Sequence, residues 1–493
     1  MTTAKPNLIH GAFLAIAMRW TDRLIGLVST IILARLLVPA DFGVIATASI
    51  VIALADVLME MGVYVVLMQN KNPTEAHYNT AWTIRFIQTS IMTALVLLAA
   101  PLAADYFNNP ALTPVIRVLA LTFLFEGLEN IWIITLQKDQ QYARDFRFMF
   151  SKRFTGFVIT IALAFITHSY WALVAGNLGG RLMGVILSYV MHPKRPRFSL
   201  EKFSEIFGMS QWVWVRSIAT YFQTRLHEIV VANRESASVM GTYALADQIA
   251  AMPTTELLAP LNRVLFPAFV KVKDDLRELK RVFLLAQGVQ ALVGIPAGVG
   301  LALVASETVT LLLGSKWQAA IPLVETLALM GCLTAITASG LYVLITLGRI
   351  KIVAAYAWLQ VAMFAVAAYA LFPGAGAESI AKLRIAVALF GLVTFTIFLC
   401  RELNELSAFD MLRSVLRPAL AAIPMALSIT AIDLHLNFPM LPQLILKVVT
   451  GATTYSLSLL GLWFLAGRAP GAESYLLEKF VPALFPPRAR SSK

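Results

Sequence analysis

Charges stand where charge is costly. Within the apolar stretch from Gly11 to Gly43, Arg19, Asp22 and Arg23 fall inside a little more than one turn. About 20 apolar residues cross a bilayer, so this stretch is long enough to span. Each charge facing hydrocarbon costs about 3 kcal/mol or more. At 100° per residue, Ala12, Ala15, Arg19, Asp22, Arg23, Gly26, Ser29 and Thr30 share one face, while Leu24, Ile25, Leu27, Val28, Ile31 and Ile32 cover the other. One face suits lipid; the other needs water or protein. Three charges on one turn cannot all pair locally, and they leave net positive charge. The sequence therefore predicts a membrane protein with a charged internal cavity.

Further polar stripes point the same way. Ser49, Ala53, Asp56 and Glu60 share a face of the second apolar segment, and Arg216, Thr220, Gln223 and His227 a face of the seventh, with Arg225 opposite and Glu228 close by. Arg85, Glu126, Glu129, Arg181, Asp247, Glu256, Arg263 and Glu325 also fall inside apolar runs. Many such groups pair with one another or snorkel to the interface, which is the bland account. An arginine-rich cavity selects an anion, because the guanidinium fork donates two parallel hydrogen bonds to phosphate. A lipid-linked phosphate is the natural ligand. The expected substrate-binding set is Arg19, Arg23, Arg85, Arg216 and Arg225. Asp22, Asp56, Glu60, His227 and Asp247 form the expected coupling or cavity-polar set. Asp56 and Glu60, four residues apart, resist ionising together in low dielectric, so coupling to a proton or sodium gradient is an expectation. No cofactor or bound metal is expected.

Composition agrees with a bilayer. The chain has 493 residues, of which 58% are hydrophobic and 14% charged, with a mean hydropathy of +0.74; soluble domains carry less apolar and more charged sequence. The net charge of +12 does not indicate nucleic acid, because the basic residues recur in short gaps between apolar runs, as cytoplasmic loops do. Two cysteines, Cys332 and Cys400, both in apolar runs, offer neither a disulfide framework nor a metal site. Ala15-Ile16-Ala17 resembles a signal cleavage site, but the apolar region before it is short, and the N-terminus is read as mature protein.

Apolar segments predict an all-α integral membrane fold of about 14 helices. Six lie near 11–37, 42–68, 80–104, 113–136, 151–167 and 170–191, six more near 208–232, 239–269, 282–305, 319–347, 351–372 and 380–400, and two weaker ones near 416–434 and 441–466. The expected organisation is an N-lobe over 1–200, a C-lobe over 201–405, and two additional helices with a tail over 406–493. Clusters around Lys71, Lys138–Arg153, Lys194–Lys202, Lys271–Arg281, Arg349–Lys351 and Arg401–Arg417 fall in alternate connections, while the others offer only Arg35, Arg234, Lys316, Lys382 and Arg384. By the positive-inside rule both termini are cytoplasmic. Pro114–Leu121 resembles Pro322–Leu329, and Gly43 and Gly241 each open a second helix of their set, so the lobes read as pseudo-symmetric parallel repeats.

Pro253, Pro260 and Pro267 predict a kinked or broken eighth helix, either a hinge or a static bend. Gly176, Gly180 and Gly184 predict close helix packing. No His-Glu-x-x-His, phosphate-loop or Asp-x-Asp pattern occurs, and no loop is long enough for an extramembrane domain.

The run Ser29–Gly43, with Ala-Arg-Leu-Leu near its middle and Phe-Gly at its end, resembles bacterial polysaccharide transporters of the multidrug/oligosaccharidyl-lipid/polysaccharide exporter superfamily. Tyr78–Trp82, Gly241–Ala246, Asn262–Pro267 and Leu313–Trp317 are similar to that family as well. The resemblance implies a Wzx-type flippase of the bacterial inner membrane, not an enzyme. Its implied substrate is an undecaprenyl-pyrophosphate-linked oligosaccharide repeat unit moved to the outer leaflet for exopolysaccharide, capsule or O-antigen assembly. The implied partners are that lipid-linked oligosaccharide and the polymerase and export machinery, with no nucleic acid. Two alternatives stand beside it: a cation-coupled exporter of drugs or other amphiphiles in the same superfamily, and a membrane-embedded polysaccharide polymerase or ligase.

Overall fold

The computed structural model describes residues 8–60, 63–206, 211–403, 405–435, 438–469 and 471–480, and among these there is no strand. Helix α1 (Leu8–Leu36) stops ahead of Pro39, which opens α2 (Pro39–Met59), where a missing amide costs nothing. The residue before it, Val38, is extended, as proline requires of its neighbour, and the Asp41 carboxylate accepts the Val38 amide at 3.1 Å. The expected helix over 42–68 is not continuous. It ends at Glu60, whose ψ of 78° leaves the helical region, and α3 (Val63–Gln69) follows; residues 61–62 of that expected helix lie outside the described residues.

Next come α4 (Glu75–Tyr106) and α5 (Leu112–Leu128), with Pro114 in the first turn of α5. The expected run over 113–136 bends. Glu129 is extended, the Asn130 side chain accepts the Trp132 amide at 3.1 Å, and a short 3-10 turn leads into α6 (Thr135–Lys138), at 71° to α5. Helix α7 (Tyr142–Thr167) begins well before the expected 151, because its first turns carry Ala143, Arg144, Arg147 and Met149, good helix formers among which the charged ones lower the hydropathy. Then follow α8 (Trp171–Met191), α9 (Phe203–Ile206), α10 (Gln211–Arg234) and α11 (Ala237–Val272). Of the expected helix over 208–232, residues 208–210 lie outside the described residues. Helix α11 runs as one helical element through Pro253, Pro260 and Pro267, so of the expected kink or break the break is absent.

The remaining helices are α12 (Leu276–Leu303), α13 (Ala305–Leu312), α14 (Ile321–Thr346), α15 (Ile350–Val366), α16 (Ala377–Glu402), α17 (Ala408–His435), α18 (Met440–Leu465) and α19 (Ala472–Phe480). Pro322 stands at the start of α14, as Pro114 does in α5. Among the described residues ten helices are long and apolar enough to cross a membrane, and the bent pair around Glu129 makes an eleventh. Helices α1, α10 and α11, with 29, 24 and 36 residues, have the length but not the hydropathy. The protein is a multi-pass membrane protein.

Contacts divide the chain into two compact units, one of residues 1–221 with 228–242, the other of 222–227 with 243–493. In the first, α8 closes on α7 through glycines: a Cβ on Gly176 would lie 1.7 Å from the Thr160 hydroxyl, and one on Gly156 would lie 2.9 Å from the Gly176 carbonyl. Small residues let helix backbones approach where lipid gives no hydrophobic drive. The N-terminal turns of α2 and α11 also cross at contact distance. A Cβ on Gly43 would meet the Ala237 carbonyl at 1.7 Å, and one on Gly241 would meet the Pro39 carbonyl at 1.9 Å. In the second unit α12 is the core helix, packed between α14 and α17, with Leu279, Phe283 and Ala291 fully buried.

Candidate functional site

The charged turn of α1 is only partly turned to open space. Arg19 is half-buried, and Asp22 and Arg23 are exposed. Asp22 pairs with Arg153 of α7 at 3.0 Å, and Gly26, one turn on, stands 3.2 Å from the Arg153 guanidinium at its ideal Cβ position. This polar face therefore meets α7 along part of its length. The partner of Asp22 comes from a helix far along the chain, which spacing on α1 alone does not reveal.

A second group gathers in the first unit from α2, α4, α5 and α8. Glu126 accepts Arg85 at 3.0 Å and Arg181 at 3.2 Å, one guanidinium on each carboxylate oxygen. Asp56 lies within electrostatic reach of both Glu126 and Arg181. These side chains are partly open, at 26% for Arg85, 29% for Glu126 and 38% for Arg181. The group holds two arginines and two carboxylates, with the one carboxylate bridging both guanidiniums. Glu60, expected to act with Asp56, stands at the end of α2 and is exposed.

On α10, Arg216 is half-buried and makes no ion pair among the described residues, and its Nε is buried without a hydrogen-bond partner. Thr220 spends its hydroxyl on the Arg216 carbonyl at 2.9 Å.

In the second unit the charges are closed in. Asp247 of α11 pairs with Arg384 of α16, each side chain about one-fifth exposed. His227 is 2% exposed; its Nδ1 lies 3.0 Å from the Tyr243 hydroxyl, and a ring nitrogen stands within 4.8 Å of an Asp247 carboxylate oxygen. Arg225 lies in electrostatic reach of both His227 and Asp247. Gln223 continues the stripe by hydrogen bonding to Gln360. Arg384 was expected in an outer connection but stands inside α16, the hydrogen-bonded partner of an acid on another helix. Sequence reasoning also missed Lys447. It is 2% exposed on α18 and pairs with Glu307 and Asp433. Its signal was present: a lysine in an apolar run after Pro442.

The arrangement offers guanidinium groups on long helices, some joined to carboxylates and one, Arg216, without an ionic partner among the described residues.

Comparison with known proteins gives the lineage. The lipopolysaccharide biosynthesis protein WzxC of Escherichia coli is 29% identical over 63% of this chain and 64% of its own length. The teichuronic acid biosynthesis protein TuaB of Bacillus subtilis is 23% identical over 86% of this chain and 88% of its own. Among solved structures the lipid II flippase MurJ shares the fold, with a TM-score of 0.74 over 92% of this chain and 99% of that one at 11% identity. An inward-facing multidrug resistance transporter of the MATE family aligns at a TM-score of 0.59, 14% identical over 78% of this chain and 96% of its own. Residues 32–322, more than half of the chain, match the family described as Polysaccharide biosynthesis protein, and the chain belongs to that family.

Proposed function

We propose that this protein is a flippase of the bacterial inner membrane that carries undecaprenyl-pyrophosphate-linked oligosaccharide repeat units from the inner to the outer leaflet. The observation that carries the reading is a coincidence of two properties. Helices α1, α10 and α11 are the long helices too polar for lipid, and they bear Arg19, Arg23, Arg216, Arg225, His227 and Asp247. A helix that pays several kcal/mol to carry charge into a membrane faces water or protein, not lipid. Arginines on such helices suit a diphosphate, while the tail stays in hydrocarbon. The names of WzxC and TuaB and the MurJ fold support the same reading. Fourteen spans with both termini cytoplasmic are part of it, and a reporter fused after Lys202 should read cytoplasm.

The proposed cavity set of the first unit comprises Arg19, Arg23, Arg85 and Arg216, while Arg225 stands with the closed group of the second unit. Asp56 and Glu126 are the acids that a proton or sodium ion would use for coupling, since two carboxylates in low dielectric resist ionising together. Arg216→Ala is the discriminating variant, because its removal orphans no ionic partner among the described residues. Polymer export should fall at least about tenfold with normal membrane abundance, on the order of one charge-assisted contact, and Lys should restore it only in part. Full export from a normally abundant Arg216→Ala/Arg23→Ala double variant sinks the anion-cavity reading. Unchanged export in Asp56→Asn/Glu126→Gln removes the coupling role.

A further inference from the structure

The segment between α8 and α9 is an ordered strap laid along α4. The Arg197 amide donates to Asn79 Oδ1 at 3.0 Å, the Ser199 amide to Thr83 Oγ1 at 3.0 Å, and the Lys202 amide to Thr80 Oγ1 at 3.2 Å. Phe198 lies against Trp82, with ring centroids 4.9 Å apart, yet remains 68% exposed. Leu200 and Phe203 are exposed as well, at 52% and 43%. The strap thus alternates bare apolar side chains with Arg195, Arg197 and Lys202. That pairing of properties belongs to the boundary between head groups and hydrocarbon.

Beneath the strap is a cavity of about 350 Å³, lined by Leu58, Met59, Ile87, Ile91, Leu200 and Phe203 among others. Its one polar neighbour, Gln88, donates its amide to the Met59 carbonyl and leaves the walls apolar. Ile87 and Ile91 are 44% and 56% exposed on a helix apolar enough to span, so the cavity opens toward lipid. At its rim, Lys202 is engaged by Glu205 at 2.8 Å and Lys194 by Glu75. The Arg197 guanidinium is exposed, lies in electrostatic reach of Glu75, which Lys194 engages directly, and has no carboxylate at ion-pair distance among the described residues. Three residues of extended chain reach at most about 11 Å, which places Arg197 within that distance of Leu200 in the cavity wall.

We propose that this cavity binds an acyl chain of an anionic glycerophospholipid whose phosphate is held by Arg197, with Arg195 beside it. Charge selects the head group, since a neutral lipid gains nothing from an unpaired guanidinium, whereas an anionic one gains a charge-assisted contact. The walls select the chain, since Gln88 is the one polar residue among the described residues that line them. The cavity shares no lining residue with the proposed arginine set, and its occupant does not depend on which molecule that set transports. A lipid wedged here would tie the strap to α2 and α4 as one block.

The test is retention of lipid by the purified full-length protein, read by mass spectrometry after exchange against vesicles of phosphatidylglycerol or phosphatidylcholine. The protein should keep phosphatidylglycerol in preference. Arg197→Gln should lower phosphatidylglycerol retention about fivefold, the share of one cation near an anionic lipid, and leave phosphatidylcholine unchanged. Ile91→Trp, which fills the cavity, should lower retention of both, and Met92→Phe is the gentler filling if the tryptophan variant does not fold. Leu98→Trp on the bare face of the same helix should change nothing. Equal retention of the two lipids in the parent, or unaltered retention in the folded filling variants, overturns the site. Displacement of phosphatidylglycerol by a polyprenyl pyrophosphate, one for one, also overturns it, because the cavity would then hold the transported class of lipid.

Discussion

Two charged groups, one in each unit, are built from the same residue types and differ in what they leave over. In the first unit Glu126 is shared by Arg85 and Arg181, and the three side chains are between a quarter and two-fifths exposed. In the second, Asp247 pairs with Arg384, with Arg225 in electrostatic reach, beside a histidine and a tyrosine that are almost wholly buried. An open group with a shared acid can release one guanidinium to a ligand and keep its acid satisfied. A closed pair cannot be opened without leaving a buried charge poorly compensated. The same chemistry is therefore fit for exchange in one place and for holding helices together in the other.

The largest effect should come from the closed pair. Arg384→Gln leaves Asp247 without its guanidinium, and orphaning one member of a buried pair costs about 3–5 kcal/mol. Membrane abundance should collapse, and Asp247→Asn in the same chain should bring most of it back. Normal abundance of the single variant would erase the contrast between the two groups. A smaller stability effect, below about 1 kcal/mol, is expected for Arg181→Gln, since its ion pair is partly exposed and Glu126 retains Arg85. Thermal unfolding in detergent should hardly move, while export falls. If unfolding shifts as far as for Arg384→Gln, the first group is structural too.

The smallest effect belongs to the strap and depends on pH. Lys202, first, and then His77 hold the Glu205 carboxyl below its ordinary range through hydrogen bonds. A folded pKa below the unfolded one stabilises above the unfolded value, about 4.3, and that contribution is lost as pH falls through the folded value. Amide exchange over 197–206, corrected for intrinsic rate, should thus quicken only under acid conditions, and Glu205→Gln should flatten the response. A strap that loosens near neutral pH instead would point to a different anchor.

Much of the fold was legible because lipid enforces length and hydropathy on every span. Each expected segment overlaps a described helix, though 42–68 is interrupted and 113–136 is bent, and the charges of α1, α10 and α11 were visible as residues out of place. What stayed hidden is of two kinds. Pairing is long-range: Asp22 with Arg153, Asp247 with Arg384 and Lys447 with Glu307 join helices that no periodicity relates. Continuity is local but set by side chains: α2 stops at Glu60 and α5 turns at Asn130, both inside runs that hydropathy reads as unbroken. Conversely α11 survives three prolines.

The crossing of α2 on α11 carries a consequence for how this sequence can change over time. Gly43 faces the Ala237 carbonyl and Gly241 faces the Pro39 carbonyl, each glycine four residues into its own helix. Because each obstacle is main chain, no replacement of Pro39 or Ala237 can make room for a methyl group opposite. Compensation between the two positions is closed off, and a lineage cannot trade one glycine for the other. Both sites should therefore stay fixed independently, a pattern quite unlike the ion pairs, where a lost partner can be excused by losing its mate.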